Sequence, residues 1–211
     1  GNSSLPNMTV TPPADFSGDA TVAIVLKAQD RDADNAALVT AVEQDSVTLH
    51  LQVNPVAGDV TASNVTTQED VAVNFLASVH VTDTSTSPTT GGSELVDKVV
   101  FNVPTGWLVT PPSGSGFTTS LSGSIYTIDF TTGSLTEAQR EAVLDAFTIV
   151  SSSHSSKDET IAVTVTTTDT ASANGATVTN TANTVLNVTV AVTPIAERVD
   201  ADTATPSGND V

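Results

Sequence analysis

Four stretches of this chain alternate an apolar residue with threonine or another polar residue at a period of two. They are Thr21-Val22-Ala23-Ile24-Val25-Leu26, Val47-Thr48-Leu49-His50-Leu51-Gln52-Val53, Ile161-Ala162-Val163-Thr164-Val165-Thr166 and Val185-Leu186-Asn187-Val188-Thr189-Val190-Ala191-Val192. A period of two sends alternate side chains to opposite faces of an extended strand, so each stretch predicts a strand with one buried and one wet face. Shorter runs at 71–75, 98–103, 107–110 and 125–130 read the same way. Between them stand turn-forming clusters such as Pro111-Pro112-Ser113-Gly114-Ser115-Gly116. Many short strands with such spacers predict an all-β, antiparallel β-sandwich. The core has to be built from Val, Ile, Leu and Ala, because aromatic residues make up only 4% of the chain.

One short helix interrupts the pattern. Ser134-Leu135-Thr136-Glu137 is a capping box, with Thr136 and Gln139 offering a second register. The helix is expected from about Thr136 to Asp145, burying Ala138, Ala142, Val143, Ala146 and Phe147 as a packing element between sheets.

The chain has 6 basic and 24 acidic side chains, a net charge of −18. Nucleic-acid binding needs clustered Lys and Arg to neutralise phosphates, and here six are scattered from Lys27 to Arg198. The same scarcity argues against an anionic membrane surface. No apolar run approaches the roughly 18 residues of a membrane helix, so no direct membrane insertion is expected. With no cysteine, disulfides, thiolate zinc sites and Cys nucleophiles are excluded together.

An internal repeat organises the chain. Residues 5–57 align without a gap on residues 144–196 at a constant offset of 139, with 14 identities in 53 positions, among them Asp30/Asp169, Asn35/Asn174 and Pro55/Pro194. Each copy ends its last strand at a proline, which lacks the donor that would continue a ladder. The expected organisation is therefore 1–54 as the C-terminal part of a preceding repeat, 55–195 as a complete repeat, and 196–211 as the start of a following repeat or a linker. A 139-residue unit exceeds a minimal sandwich of about 100 residues, and insertions are expected between Thr84 and Ser124.

The stretch Val10-Thr11-Pro12-Pro13-Ala14-Asp15-Phe16-Ser17-Gly18-Asp19, the strand ending at Asp30, the strand ending Val53-Asn54-Pro55, and Gln68-Glu69-Asp70-Val71 together resemble a known pattern. It is that of the Ig-like and cadherin-like repeats of very large repetitive RTX adhesins of Gram-negative bacteria, and the resemblance covers most of the chain. It implies an Ig-like or cadherin-like sandwich at the extracellular bacterial cell surface, exported by type I secretion within a larger protein. It also implies Ca2+ near domain junctions and a role in adhesion and biofilm formation. The expected partners are neighbouring repeats of the same polypeptide, with surface glycans or proteins as further candidates.

The densest acidic cluster is Gln29-Asp30-Arg31-Asp32-Ala33-Asp34-Asn35. Carboxylates at alternate turn positions can converge on a hard cation, which takes six to eight oxygens at about 2.3–2.6 Å, although acidic loops are also commonly just solvated. Asp30, Asp32 and Asp34 are metal candidates on this ground. Asp169 repeats Asp30, and Asp59, Glu69 and Asp70 near the first linker, with Glu197 near the second, complete the candidate set. If residues 30–46 form a single hairpin loop, Asp30 lies opposite the following linker and Asp169 lies near the first one. An extra strand at 36–42 would reverse that, and the single loop is favoured.

Catalysis finds little footing. His50, His80 and His154 have none of the short spacings of a metal site, no Gly-x-Ser-x-Gly elbow or Gly-rich phosphate loop occurs, and Asp158-Glu159 would point to opposite strand faces. The expectation is a non-enzymatic, calcium-stiffened spacer or scaffold. The alternative is a carbohydrate- or protein-binding module using the region 84–124, with Trp107 and Tyr126 as stacking platforms; core packing is the favoured role for both rings.

Overall fold

The computed structural model describes residues 7–30, 34, 35, 37, 40–82 and 93–196. The fold is all-β and sandwich-like with one short helix. Its backbone is a six-stranded sheet in the order β4-β12-β11-β6-β9-β8. The strands are β4 (Val65–Gln68), β6 (Ser93–Asn102), β8 (Thr118–Ser122), β9 (Ile125–Asp129), β11 (Glu159–Ala173) and β12 (Ala176–Thr193). All its pairings are antiparallel except β4 with β12, which is parallel. Two small pairs accompany it, β3 (Val60–Thr61) with β5 (His80–Val81) and β7 (Leu108–Thr110) with β10 (Thr148–Val150). A separate two-stranded sheet joins β1 (Gly18–Ala28) to β2 (Glu43–Val53).

The core runs from Val60 to Val192 and is aliphatic with a small aromatic centre. Phe101 stacks on Tyr126 at 5.4 Å between ring centroids and meets Phe75 edge-on at 4.9 Å. Trp107 and Tyr126 are each about 6% exposed, so both serve the core and neither presents a platform for a sugar.

The alternating runs became strands, but longer than the apolar signal. β11 continues past Thr166 through Thr167, Asp169, Ala171 and Ala173, which keep the inward parity with polar or small side chains. Asn174 and Gly175, both at positive φ, close the β11–β12 hairpin in two residues. Residues 71–75 do not form the expected strand: Val73 makes an isolated bridge to Ile149, and the chain then turns to bury Phe75 and Leu76. The run read at 98–103 is the second half of β6, which lies centrally in the sheet between β11 and β9.

β6 carries a bulge where Thr166 faces Lys98 and Thr167 faces Val96, leaving Asp97 as the extra residue. Glu94 and Val96 point inward before it, and Val99 and Phe101 after it. The bulge lets one strand bury apolar residues on both sides of a parity change.

The helix, α1 (Glu137–Asp145), uses the second capping register: Thr136 Oγ1 accepts from Gln139 N at 3.4 Å, and Gln139 Oε1 accepts from Thr136 N at 2.9 Å. Its buried stripe is not the alanine stripe. Ala138, Ala142 and Ala146 face solvent, while Arg140 and Leu144 are buried, Val143 partly so, and Phe147 follows. Arg140 turns inward because its guanidinium finds acceptors there: Val96 O at 2.6 Å, Leu135 O at 3.1 Å and Asp97 Oδ1 at 3.1 Å.

Candidate functional site

The linker after β2 crosses the end of the six-stranded sheet where β6, β11 and β12 lie side by side. Glu94, Asp169 and Asn180 are directly opposite one another in the ladders, so their side chains share one face in a row across three strands. Three consecutive linker amides land on that row. Val56 N donates to Asp169 Oδ2 at 3.0 Å, Ala57 N to Asn180 Oδ1 at 3.0 Å, and Gly58 N to Glu94 Oε1 at 2.6 Å. Gly58 takes φ +113°, which favours glycine, and its carbonyl accepts from Thr184 Oγ1 at 2.9 Å. Pro55 removes a backbone donor just before this row, so ladder pairing ends and side-chain pairing begins.

Asp169 and Glu94 are 1% and 2% exposed. Each uses one carboxylate oxygen for the linker, and the other, Asp169 Oδ1 or Glu94 Oε2, is buried with no hydrogen-bond partner. Buried polar atoms are normally paired, and a buried carboxylate normally meets a cation or several donors. Two such orphaned oxygens on opposed residues are therefore the strongest chemical anomaly in the described residues.

Beside the row lies a cleft of about 290 Å³, lined by Asp169, Asp59, Val56 and the segment carrying Pro12, Asp15 and Ser17. Further contacts seat the first hairpin against the sheet here: Asn174 N donates to Asp19 Oδ2 at 2.6 Å, and the position of a Cβ on Gly18 lies 3.2 Å from Ser172 O.

The candidate residues separate into three places. β1 and β2 pair antiparallel from Gly18–Val53 to Ala28–Glu43, so Asp30 lies at the far end of that pair from the linker, with exposed Asp34 between the two strands in sequence. Asp32 lies outside the described residues. Asp169 and Asp59 both line the cleft at the first linker. Glu69 and Asp70 do not join them: β3 and β4 carry the chain along the unit, and β4 pairs with the C-terminal end of β12. There Glu69 Oε1 accepts from Ile195 N at 2.6 Å, while Asp70 accepts from His154 N at 3.2 Å. Glu197 lies outside the described residues. The residues after both prolines, Val56 and Ile195, thus each donate to a buried carboxylate.

Among the described residues no three His, Cys, Asp or Glu side chains form a group that could hold a metal ion by themselves. His50, His80 and His154 lie on separate elements: His50 is exposed on β2, His80 stands 3.4 Å from Glu141, and His154 stands 3.7 Å from Asp70. Sequence reading missed Glu94 and Asn180. Glu94 lies before the run read as a strand at 98–103 and on the other side of the Asp97 bulge, so no local pattern marks it as inward.

Comparison with family models, with curated proteins and with solved structures finds no match for this chain.

Proposed function

We propose that the chain is a non-enzymatic module of a large extracellular bacterial adhesin, a spacer or scaffold stiffened by Ca2+ at its linker in cell adhesion and biofilm formation. The adhesin context rests on the sequence resemblance; the linker row carries the mechanical part. Asp169 and Glu94 hold two consecutive-but-one linker amides and keep two buried oxygens without partners. A hard divalent cation is the group such oxygens suit, with Asp59 on the adjoining cleft and water or backbone carbonyls supplying the remainder of a six- to eight-oxygen shell. Asp30, Asp32, Asp34, Glu69, Asp70 and Glu197 belong, on this reading, to corresponding positions at neighbouring junctions. With the cation in place, the linker is fixed to β6, β11 and β12 at once, and adjacent units resist bending.

Thermal unfolding in millimolar Ca2+ and in chelator tests the reading. Calcium should raise the midpoint by several degrees, since a ligand at 100 times its dissociation constant adds about 2.7 kcal/mol. In the Asp169→Asn/Glu94→Gln variant, which can still accept both linker amides, the calcium effect should vanish and the chelator midpoint should not fall. Coincident wild-type curves with and without calcium would sink the proposal.

A further inference from the structure

The hairpin β1–β2 repeats β11–β12 in register as well as in sequence. Val22 faces Leu49 and Ile24 faces Val47; 139 residues later Ile161 faces Val188 and Val163 faces Leu186. The agreement in pairing is a structural fact separate from the sequence alignment. The two faces of β1–β2 are also unlike each other. One holds the pairs Ala20/Leu51, Val22/Leu49, Ile24/Val47 and Leu26/Asp45; the other holds Asp19/Gln52, Thr21/His50, Ala23/Thr48 and Val25/Ser46, with Val25 its one large apolar residue.

The matching apolar positions differ in how far they are covered. Ile161, Val163, Val165, Val188 and Val190 are at most 2% exposed, within a cluster completed by Phe75, Leu76, Val79 and Phe101 from the 55–143 half of the unit. On the first hairpin Leu26 is 39%, Leu49 43% and Val47 46% exposed, and Val22, Ile24 and Leu51 are only half-buried. The same holds just ahead of it: Met8 and Val10 are 63% and 52% exposed, while their counterparts Phe147 and Ile149 are fully buried. A two-stranded hairpin with an uncovered apolar face is marginal in water.

We infer that this face is a docking surface for one occupant, a half-unit with the chemistry of residues 55–143 of this chain joined in tandem ahead of residue 5. The covered twin β11–β12 shows the occupant's chemistry: buried aliphatic and phenyl side chains, an edge strand pairing parallel to the second hairpin strand as β4 does with β12, and a central strand pairing with the first as β6 does with β11. A second copy of the chain is the weaker fit, because its own 55–143 half is already filled by β11–β12.

The test extends the full chain by placing a copy of residues 55–143 directly before residue 5, which preserves the 139-residue spacing. Amide hydrogen exchange is then read in chelator, so the result is independent of the cation. In the starting chain β1–β2 amides should exchange at least about 100-fold faster than those of β11–β12. In the extended chain they should slow to the β11–β12 level while light scattering reports a monomer. A matching extended chain with Leu49→Asp should lose that protection and leave β11–β12 unchanged. Unprotected β1–β2 amides in the extended chain, including the case where the added half stays unfolded, would overturn the inference. So would a starting chain that dimerises with β1–β2 already protected, which would assign the face to a second copy.

Discussion

Replacing Arg140 by methionine removes one of the few cations in the chain from a place where nothing else can substitute for it. The residue is 5% exposed, and its guanidinium holds three acceptors from two directions: Leu135 O ahead of α1, and Val96 O with Asp97 Oδ1 at the β6 bulge. It also lies over the Phe130 ring, 5.9 Å from the centroid. Methionine refills most of the volume, so the loss comes from the stranded acceptors. Each buried carbonyl left unpaired costs about 1–3 kcal/mol. Asp97 is less exposed to loss, because its Oδ2 still accepts from Thr168 Oγ1 at 2.6 Å and its side chain is 22% exposed. Breaking one side of a buried pair costs about 3–5 kcal/mol, and the Asp97 exposure places the expected value near 3–4 kcal/mol. That is a large part of a typical stability of about 5–15 kcal/mol, and it lowers the midpoint by roughly 10 °C. Urea unfolding followed by the fluorescence of Trp107, the single tryptophan and a core residue, reads the change. Arg140→Lys should lose about 2 kcal/mol, since one ammonium cannot span acceptors that the planar fork spans. A loss below about 1 kcal/mol for methionine would refute the claim that Arg140 ties the helix to the bulge.

Two further substitutions probe the same region. Burial pushes the Glu137 carboxyl up to about 7, with the nearby Glu141 adding to it against the opposing hydrogen bond from Val96 N. Because the folded state then binds a proton that the unfolded state releases near 4.5, stability should fall as pH rises from about 4.5 to 7 and level off above. Glu137→Gln should flatten that slope and stabilise the fold at pH 8 by about 1–2 kcal/mol, after allowance for the side chain's partial exposure; an unchanged profile by denaturant titration would contradict it. At Gly133 an added Cβ would lie 2.2 Å from Gly116 O and 2.5 Å from Gly116 Cα, backbone atoms with no rotamer to yield. Gly133→Ala should therefore destabilise by about 1–3 kcal/mol and loosen the 111–117 loop, seen as faster amide exchange there; a neutral substitution would show that the two loops are not tied.

The strands legible in the sequence are those in which apolar and polar residues alternate. The apolar halves of β11 and β12 announce themselves because each buried position is Val or Ile, and β1 and β2 carry the same alternation although their apolar face is only partly covered. The Thr-rich extension of β11 does not, since Thr167 and Asp169 occupy inward positions without an apolar signal. β6 is legible only in its second half, the run at 98–103, because the Asp97 bulge changes parity in mid-strand and no single period fits Glu94 and Val96 together with Val99 and Phe101. The helix start was legible from its cap. Its buried face was not, because the hydrogen-bond acceptors that draw Arg140 inward lie on β6 and on Leu135 and no local pattern encodes them.

The candidate site divides along the same line. Asp169 and Asp59 could be placed near the first linker because the repeat and a single β1–β2 hairpin fix which end of the unit meets it. Glu94 could not, since its place opposite Asp169 depends on a pairing 75 residues apart that only the assembled sheet defines. Asn180 then sharpens what the two acids are for. Holding a linker amide requires one acceptor oxygen, and Asn180 does this for Ala57 without any charge. Were restraint of Val56 and Gly58 the whole requirement, an amide side chain would serve at 169 and 94 as well, and it would avoid burying two negative charges side by side. The carboxylates add only a negative charge and a second strong acceptor oxygen, and those second oxygens are the two left without partners. On the proposed calcium reading these second oxygens are the atoms a cation would take, and Asp169→Asn with Glu94→Gln, which keeps the linker acceptors and removes the acids, separates that role from linker restraint.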